Sequence, residues 1–188
     1  MPLSQFVKPI ESIESIGDFK AYRMDSTKEG SNMRDDAGLG TCECCDYVTI
    51  SKDNQSVFLI EETNLEYTIY NFKQDYDYLE EADENKLFYE KILGENRLKL
   101  YGSMLVLCRL SSLQDDVKEF LPKDKFQFWL VTTGTAPSSL DSTILMDHLS
   151  DRLRNDLKSP FGGMINEVDI IPSTELAEKL SDEAIEID

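Results

Sequence analysis

Positive charge is the scarcest feature of this 188-residue chain. Nineteen Lys and Arg residues stand against 37 Asp and Glu residues, which gives a formal net charge of -18 at pH 7. Such a chain repels a polyanion such as DNA unless its basic residues are gathered in one place. The charge therefore favours a basic protein partner at least as strongly as DNA. The basic residues nearest to one another on predicted helices are Lys91, Arg97, Lys99 and Arg109, followed by the pair Arg152 and Arg154.

Long apolar runs are also absent. No segment reaches the roughly 20 apolar residues that a membrane-spanning helix needs. The N-terminus, Met1-Pro2-Leu3-Ser4, lacks the charged and apolar regions of a secretory signal. We therefore expect a cytoplasmic protein. Its length predicts one domain over residues 21–180, preceded by a lead-in segment over 1–20 and followed by an acidic tail over 181–188.

Cysteine and histidine are few, with four and one residues respectively. Three of the cysteines, Cys42, Cys44 and Cys45, lie too close in sequence to bridge one another, so reduced thiols are expected. A zinc site would need Cys108 or His148 to complete it, and the sequence favours buried and surface thiols instead. His148 lies on a predicted helix without a neighbouring nucleophile, so we expect a packing or surface residue there.

A β-hairpin is predicted between residues 46 and 63. The turn Lys52-Asp53-Asn54-Gln55 separates two β-rich runs, Tyr47 to Ile50 and Val57 to Ile60. Symmetric pairing about this turn sets residue 50 opposite 57, 48 opposite 59 and 46 opposite 61. Both faces of the hairpin are largely apolar, so other elements should cover both.

The same register sets Asp46 and Glu61 side by side on one face, with Thr63 next along the second strand. Two adjacent carboxylates can hold Mg²⁺ or Mn²⁺, which prefer oxygen ligands and keep open positions for a phosphate. A bound metal polarises the phosphate and activates a water molecule. The alternative interpretation is that both acids merely end their strands in solvent.

The rest of the chain predicts an alternation of helices and strands. A helix is expected over about 83–112, with a kink or break near Gly94 and a buried second half from Tyr101 to Leu110. Strands are predicted over 125–133 and 167–171, and helices over 142–157 and 173–180. Lys28 and Arg34 are candidate phosphate contacts in the loop 25–40, although a solvated loop is favoured. Five aromatic residues, favoured to pack against the sheet rather than to stack bases, are Tyr67, Tyr70, Phe72, Tyr76 and Tyr78.

This element order, with Asp and then Glu on a hairpin, resembles that of the PD-(D/E)XK nuclease superfamily over about residues 20–172. Cys45-Asp46-Tyr47 matches the first motif position, and Phe58 to Thr63 matches the second. The resemblance implies an α/β fold with a restriction-endonuclease-like core, in which helices flank a mixed central sheet. It also implies a metal-dependent phosphodiester hydrolase acting on DNA, with Asp46 and Glu61 as ligands of Mg²⁺ or Mn²⁺.

The chain departs from the family pattern at the motif lysine, where it carries Thr63. The lysine orients the attacking water and stabilises charge developing on the phosphate, whereas threonine offers a neutral hydroxyl that can position water. Lys86 or Lys91 of the following helix could supply the missing ammonium. A pattern shifted by one residue would use Glu62 and Asn64, but Glu62 should point to the face opposite Asp46. The departure leaves an alternative open, a catalytically degenerate nuclease-like fold that acts as an acidic protein-binding or inhibitory module.

Overall fold

The computed structural model describes all residues except Met1, 14–18, 26–30, 122–124, 135–150, 159–162 and Asp188. Lys28, His148 and most of the predicted helix 142–157 lie outside the described residues. The strands are β1 (Val7–Pro9), β2 (Lys20–Arg23), β3 (Tyr47–Ile50), β4 (Ser56–Thr63), β5 (Lys125–Thr132) and β6 (Ile165–Pro172). The helices are α1 (Met33–Asp36), α2 (Leu65–Asp75), α3 (Glu81–Ser111), α4 (residues 151–158) and α5 (Ser173–Glu183).

The strands form one mixed sheet in the order β1-β2-β3-β4-β5-β6. Neighbours are antiparallel from β1 to β4 and parallel from β4 to β6. Parallel neighbours need a long crossover connection, and α2 and α3 provide it between β4 and β5. The described residues thus confirm a mixed α/β fold.

The β3–β4 hairpin is buried on both faces, as its apolar pattern predicts. Val48 and Leu59 belong to the core on the side of α3, where Leu100 is also fully buried. Phe58 and Ile60 belong to a second core on the side of α5. The Phe58 ring stacks on Trp129 of β5 with 4.2 Å between ring centroids. Helices therefore sandwich the hairpin and hold its far end in a fixed position.

Helix α3 runs unbroken for 31 residues, so the break expected near Gly94 is wrong. The expectation of a wholly buried second half is also wrong, because Tyr101 and Leu105 are 51% and 52% exposed while Val106 and Leu107 are buried. A helix that packs on one side of a sheet buries one stripe only. An all-round apolar sequence therefore leaves apolar side chains on the outer face of α3.

The N-terminal segment 1–20, expected as a lead-in, contributes β1 to the sheet, and β2 begins at its last residue, Lys20. β1 pairs with β2, and Tyr22 of β2 pairs with Val48 of β3. These strands have three and four residues, too few to produce a recognisable alternation of polar and apolar positions. Pro9 ends β1 at the edge of the sheet, where proline is tolerated because no partner strand needs its missing N–H.

The aromatic segment after the hairpin forms α2 and the turn that follows it, and it packs only in part. Phe72 is 2% exposed and stacks on Tyr76, as expected for packing. Tyr67 and Tyr70 are 64% and 61% exposed, and Tyr78 is 73% exposed, so packing does not account for these three.

The C-terminal residues pack beside the hairpin turn and bond to its first strand. α5 extends to Glu183, three residues beyond its predicted end, and Ala184 bridges to Ser51. The Ile185 N–H donates to the Ile50 carbonyl at 2.9 Å. Among the helices described, none combines the length and apolarity that crossing a membrane requires.

Candidate functional site

The hairpin register agrees with the prediction. Val48 pairs with Leu59 and Ile50 with Val57, and extending this ladder past its last pair brings Asp46 opposite Glu61. Asp46 Oδ2 accepts a hydrogen bond from the Glu62 N–H at 2.8 Å, which ties the carboxylate to the neighbouring strand. The Asp46 carbonyl accepts from the Met24 N–H, also at 2.8 Å. Three consecutive strands therefore fix the backbone and side chain of Asp46.

Glu61 is buried, with 3% of its surface exposed, so the interpretation of a solvated strand end is wrong for this residue. Its Oε1 accepts a hydrogen bond from Lys99 Nζ of helix α3. Its Oε2 is buried and has no hydrogen-bond partner within the described part of the chain. Glu62 points to the opposite face, as expected, where its Oε1 accepts from the Ser12 N–H at 3.0 Å.

Lys99 of helix α3 is the lysine that reaches the carboxylates, through its bond to Glu61. The expected substitutes do not reach the carboxylates: Lys91 pairs with Glu95 at 4.0 Å, and Lys86 is exposed. A signal for Lys99 exists in the sequence, because Asn96, Lys99 and Ser103 form a polar row at three- and four-residue spacing. In the structure this row lies on the sheet side of α3, between buried apolar residues. A polar row on an apolar helix face indicates side chains aimed at a buried polar partner.

Helix α3 approaches the loop before Asp46 closely enough to exclude any side chain at Gly102. A Cβ there would lie 1.6 Å from the Glu43 carbonyl oxygen. The next residue, Ser103, accepts a hydrogen bond from the Cys45 N–H at 2.9 Å and donates to the Lys99 carbonyl at 2.7 Å. This contact joins Lys99, one helical turn earlier, to the backbone beside Asp46.

Burial dominates the electrostatics of the three charged groups. It raises the pKa of Glu61 to about 8, with the Asp46 charge adding to the effect and Lys99 opposing it. Burial also raises the pKa of Asp46, while the bond from the Glu62 N–H opposes the shift. For Lys99, burial disfavours the ammonium, but attraction to Glu61 outweighs it and the pKa of Lys99 rises. Glu61 therefore keeps its proton to a higher pH than an exposed glutamate does.

A small cavity adjoins this ion pair. Its volume is about 30 Å³, enough for one or two water molecules. Thr63, Glu61 and Lys99 all line it. Asn96 also lines it, and the Asn96 Oδ1 atom is buried without a partner among the described residues.

The other candidate ligands and cations do not bond to Asp46 or Glu61 in the described structure. Cys44 and Cys45 are buried, Cys108 is exposed, and burial raises the pKa of the Cys45 thiol, which keeps it neutral. Within the described ranges no three His, Cys, Asp or Glu side chains form a ready metal-binding group. Arg34 pairs with Asp25 at 2.6 Å.

The remaining basic residues of α3 and α4 are also engaged or distant. Arg97 donates to the Asp156 carbonyl at 3.0 Å, and Arg109 lies exposed in the last turn of α3. Arg152 lies 3.9 Å from the Tyr89 ring centroid, and Arg154 pairs with Asp151 at 3.4 Å. Of these predicted basic residues, Lys99 is the one whose side chain bonds to a site carboxylate.

Comparison of the chain with protein-family models, with curated proteins and with solved structures found no match. What the site can do must therefore follow from its own side chains, Asp46, Glu61, Thr63 and Lys99.

Proposed function

We propose that this chain is a metal-dependent phosphodiester hydrolase acting on DNA. The observation that supports this function is the meeting of Lys99 with Glu61 at the end of the hairpin that carries Asp46. Two carboxylates and one ammonium, brought together from separate elements, supply a metal-binding pair and a cationic group for a phosphate. The restriction-endonuclease-like core belongs to the same proposal.

The residues present fit Mg²⁺ or Mn²⁺, with Asp46 and Glu61 as the side chains that would hold it. The supporting observation is Glu61 Oε2, a buried carboxylate oxygen with no hydrogen-bond partner in the described structure. Such an oxygen is costly to bury unless it is paired. When bound, the metal would polarise the phosphate and lower the pKa of a water molecule.

Lys99 and Thr63 would orient the attacking water, and Lys99 would also stabilise charge on the phosphate. The Lys99 ammonium has three N–H donors, of which the described structure assigns one to Glu61. The others can orient a water molecule and stabilise charge that develops on the phosphate. Thr63, whose hydroxyl both donates and accepts, would position the same water. Lys99 would thus perform the role that the motif assigns to the residue at position 63.

The test combines Mn²⁺ calorimetry with cleavage assays on single- and double-stranded DNA. Asp46→Asn should abolish Mn²⁺ binding and cleavage, because it removes one of the two carboxylates. Lys99→Met should still bind Mn²⁺ but should lower kcat by about 100-fold or more, the usual effect of losing a group that stabilises transition-state charge. Lys91→Met is the matched control, since Lys91 lies on the same helix in an exposed pair with Glu95.

Urea unfolding of each variant separates lost folding from lost chemistry. The hydrolase is refuted if the folded wild type neither binds Mn²⁺ nor cleaves either DNA. The role proposed for Lys99 is refuted if folded Lys99→Met cleaves as fast as Lys91→Met. A DNA-cleaving wild type with inactive Asp46→Asn and Lys99→Met supports it.

A second function is favoured by one observation, namely that Glu61 Oε1 already has Lys99 as its partner. We propose as the alternative a catalytically degenerate fold that binds a basic protein. The net charge of -18 supports this, as do the exposed rings of Tyr67 and Tyr70, since tyrosine faces attract cations. Under this alternative, Tyr67→Ala/Tyr70→Ala should weaken binding of an arginine-rich peptide more than Tyr101→Ala does. Equal effects of the two variants would argue against it.

A further inference from the structure

Two residues that line the cavity beside the ion pair each carry a buried oxygen atom with no hydrogen-bond partner among the described residues. Glu61 Oε2 and Asn96 Oδ1 belong to side chains that are more than nine-tenths buried, with 3% and 6% of the residue surface exposed. Both residues line the same cavity of about 30 Å³. The Asn96 side chain is held in place, because its Nδ2 donates to the Ile92 carbonyl at 2.8 Å.

The chemistry of this cavity selects its occupant. Cavities that stay dry are lined by apolar groups, whereas buried oxygen atoms need a hydrogen-bond donor. A cation would also satisfy both oxygens, but Lys99 lines the same cavity, and its positive charge favours an uncharged occupant while no metal is bound. A water molecule can donate one hydrogen bond to each oxygen and accept one from Lys99 or Thr63. Its usual number of partners, two to four, is thereby reached.

We propose that this cavity holds a structural water molecule in the metal-free protein and that Asn96 is a positioning residue for the Glu61–Lys99 pair. Asn96 and the water would together hold Glu61 and Lys99 in one arrangement, as outer partners do for metal ligands. The positioning role rests on the proposed hydrolase function, whereas the water site does not.

The water is tested on the metal-free protein by magnetic relaxation dispersion, which counts long-lived internal water molecules. Asn96→Leu, which fills the space with an apolar side chain, should lower the count by at least one. Asn155→Leu is the matched control, because Asn155 makes the same type of bond, from its Nδ2 to the Asp151 carbonyl at 2.9 Å, on the exposed surface of α4. A count that is the same in wild type, Asn96→Leu and Asn155→Leu would overturn the water site.

The positioning role is tested by Mn²⁺ affinity and by kinetics on the same variants. Loss of an outer partner of a metal ligand typically lowers metal affinity or activity by about 10- to 100-fold. Asn96→Leu should show such a loss, and Asn155→Leu should not. Asn96→Ser, which restores a small polar group and leaves room for water, should recover part of it. Because Asn96→Leu could also fold poorly, urea unfolding and the Asn96→Ser variant keep the outcome interpretable.

Failure of this inference and failure of the hydrolase proposal give different results. If Asn96→Leu loses the water while wild type shows neither Mn²⁺ binding nor cleavage, the water site is supported and the positioning role falls with the hydrolase. If wild type cleaves DNA and a folded Asn96→Leu binds Mn²⁺ and cleaves equally well, the positioning role is overturned and the hydrolase is supported.

Discussion

Gly102→Ala is the substitution whose effect follows most directly from the geometry of the site. In an exposed helix interior, replacing Gly by Ala stabilises a protein by about 1 kcal/mol. At position 102 the added methyl group would lie 1.6 Å from the Glu43 carbonyl oxygen and 2.9 Å from Cys42 Sγ. The nearest obstacle is backbone, so the helix or the loop must move. We therefore expect the sign of the usual Gly-to-Ala effect to be reversed.

The size of the effect can be estimated from its parts. Overpacking of a closely packed contact costs about 1–3 kcal/mol. Separation of α3 from the loop also weakens the Cys45–Ser103 hydrogen bond, 2.9 Å long, and a buried bond of this kind contributes about 1 kcal/mol. After subtraction of the gain in helix propensity, Gly102→Ala should be about 2 kcal/mol less stable than wild type.

Gly94→Ala is the matched control, because Gly94 lies in the same helix and an added Cβ there meets nothing within 4 Å. It should be more stable than wild type by about 1 kcal/mol. Urea unfolding of both variants measures the difference, which should be about 3 kcal/mol. If Gly102→Ala is as stable as Gly94→Ala, the close approach of α3 to the loop is refuted, and with it the account of how Lys99 reaches Glu61.

Three further predictions concern the hairpin end. Since burial raises the pKa of Glu61 from 4.5 unfolded to about 8 folded, the native state binds more protons in that window and stability should fall as pH rises through it. Glu61→Gln should remove this dependence of the urea midpoint on pH. The same pH dependence in wild type and variant would contradict the prediction. Mn²⁺ must displace the same proton, so calorimetric affinity should rise about tenfold per pH unit below about pH 8, and a flat profile would exclude Glu61 as a ligand. Asn64 caps α2 by accepting from the Tyr67 N–H at 2.9 Å, so Asn64→Ala should lower the free energy of unfolding by about 1 kcal/mol, whereas an unchanged midpoint would show that the cap is dispensable.

The hairpin could be predicted because its signals are local. The turn at residues 52–55 and the alternation on either side of it fix the register without reference to the rest of the chain. The structure reproduces the pairs Val48–Leu59 and Ile50–Val57. Extending that register by two residues on each strand places Asp46 opposite Glu61. Strands β1 and β2 have no comparable signal, because three or four residues give no measurable period.

The polar row that includes Lys99 is visible in the sequence, but it does not name the partner of that row, because the choice among three lysines depends on how a long helix is placed. Lys86, Lys91 and Lys99 all lie on α3, and a rigid helix can present only a few of its side chains to one point of a sheet. The contact of Gly102 with the loop before Asp46 fixes that placement. This contact joins residues about 60 positions apart, as does the Cys45–Ser103 bond, whose sequence separation is 58.

The sequence by itself determined the class of fold and the side-by-side order of Asp46 and Glu61, since periodicity and turn chemistry act over a few residues. Only the tertiary structure decided that Glu61 is buried, that Lys99 is its partner and that the outer face of α3 is exposed. Burial and pairing depend on which surfaces meet after the chain has folded. That meeting is governed by packing between distant segments, which no local pattern of residues records.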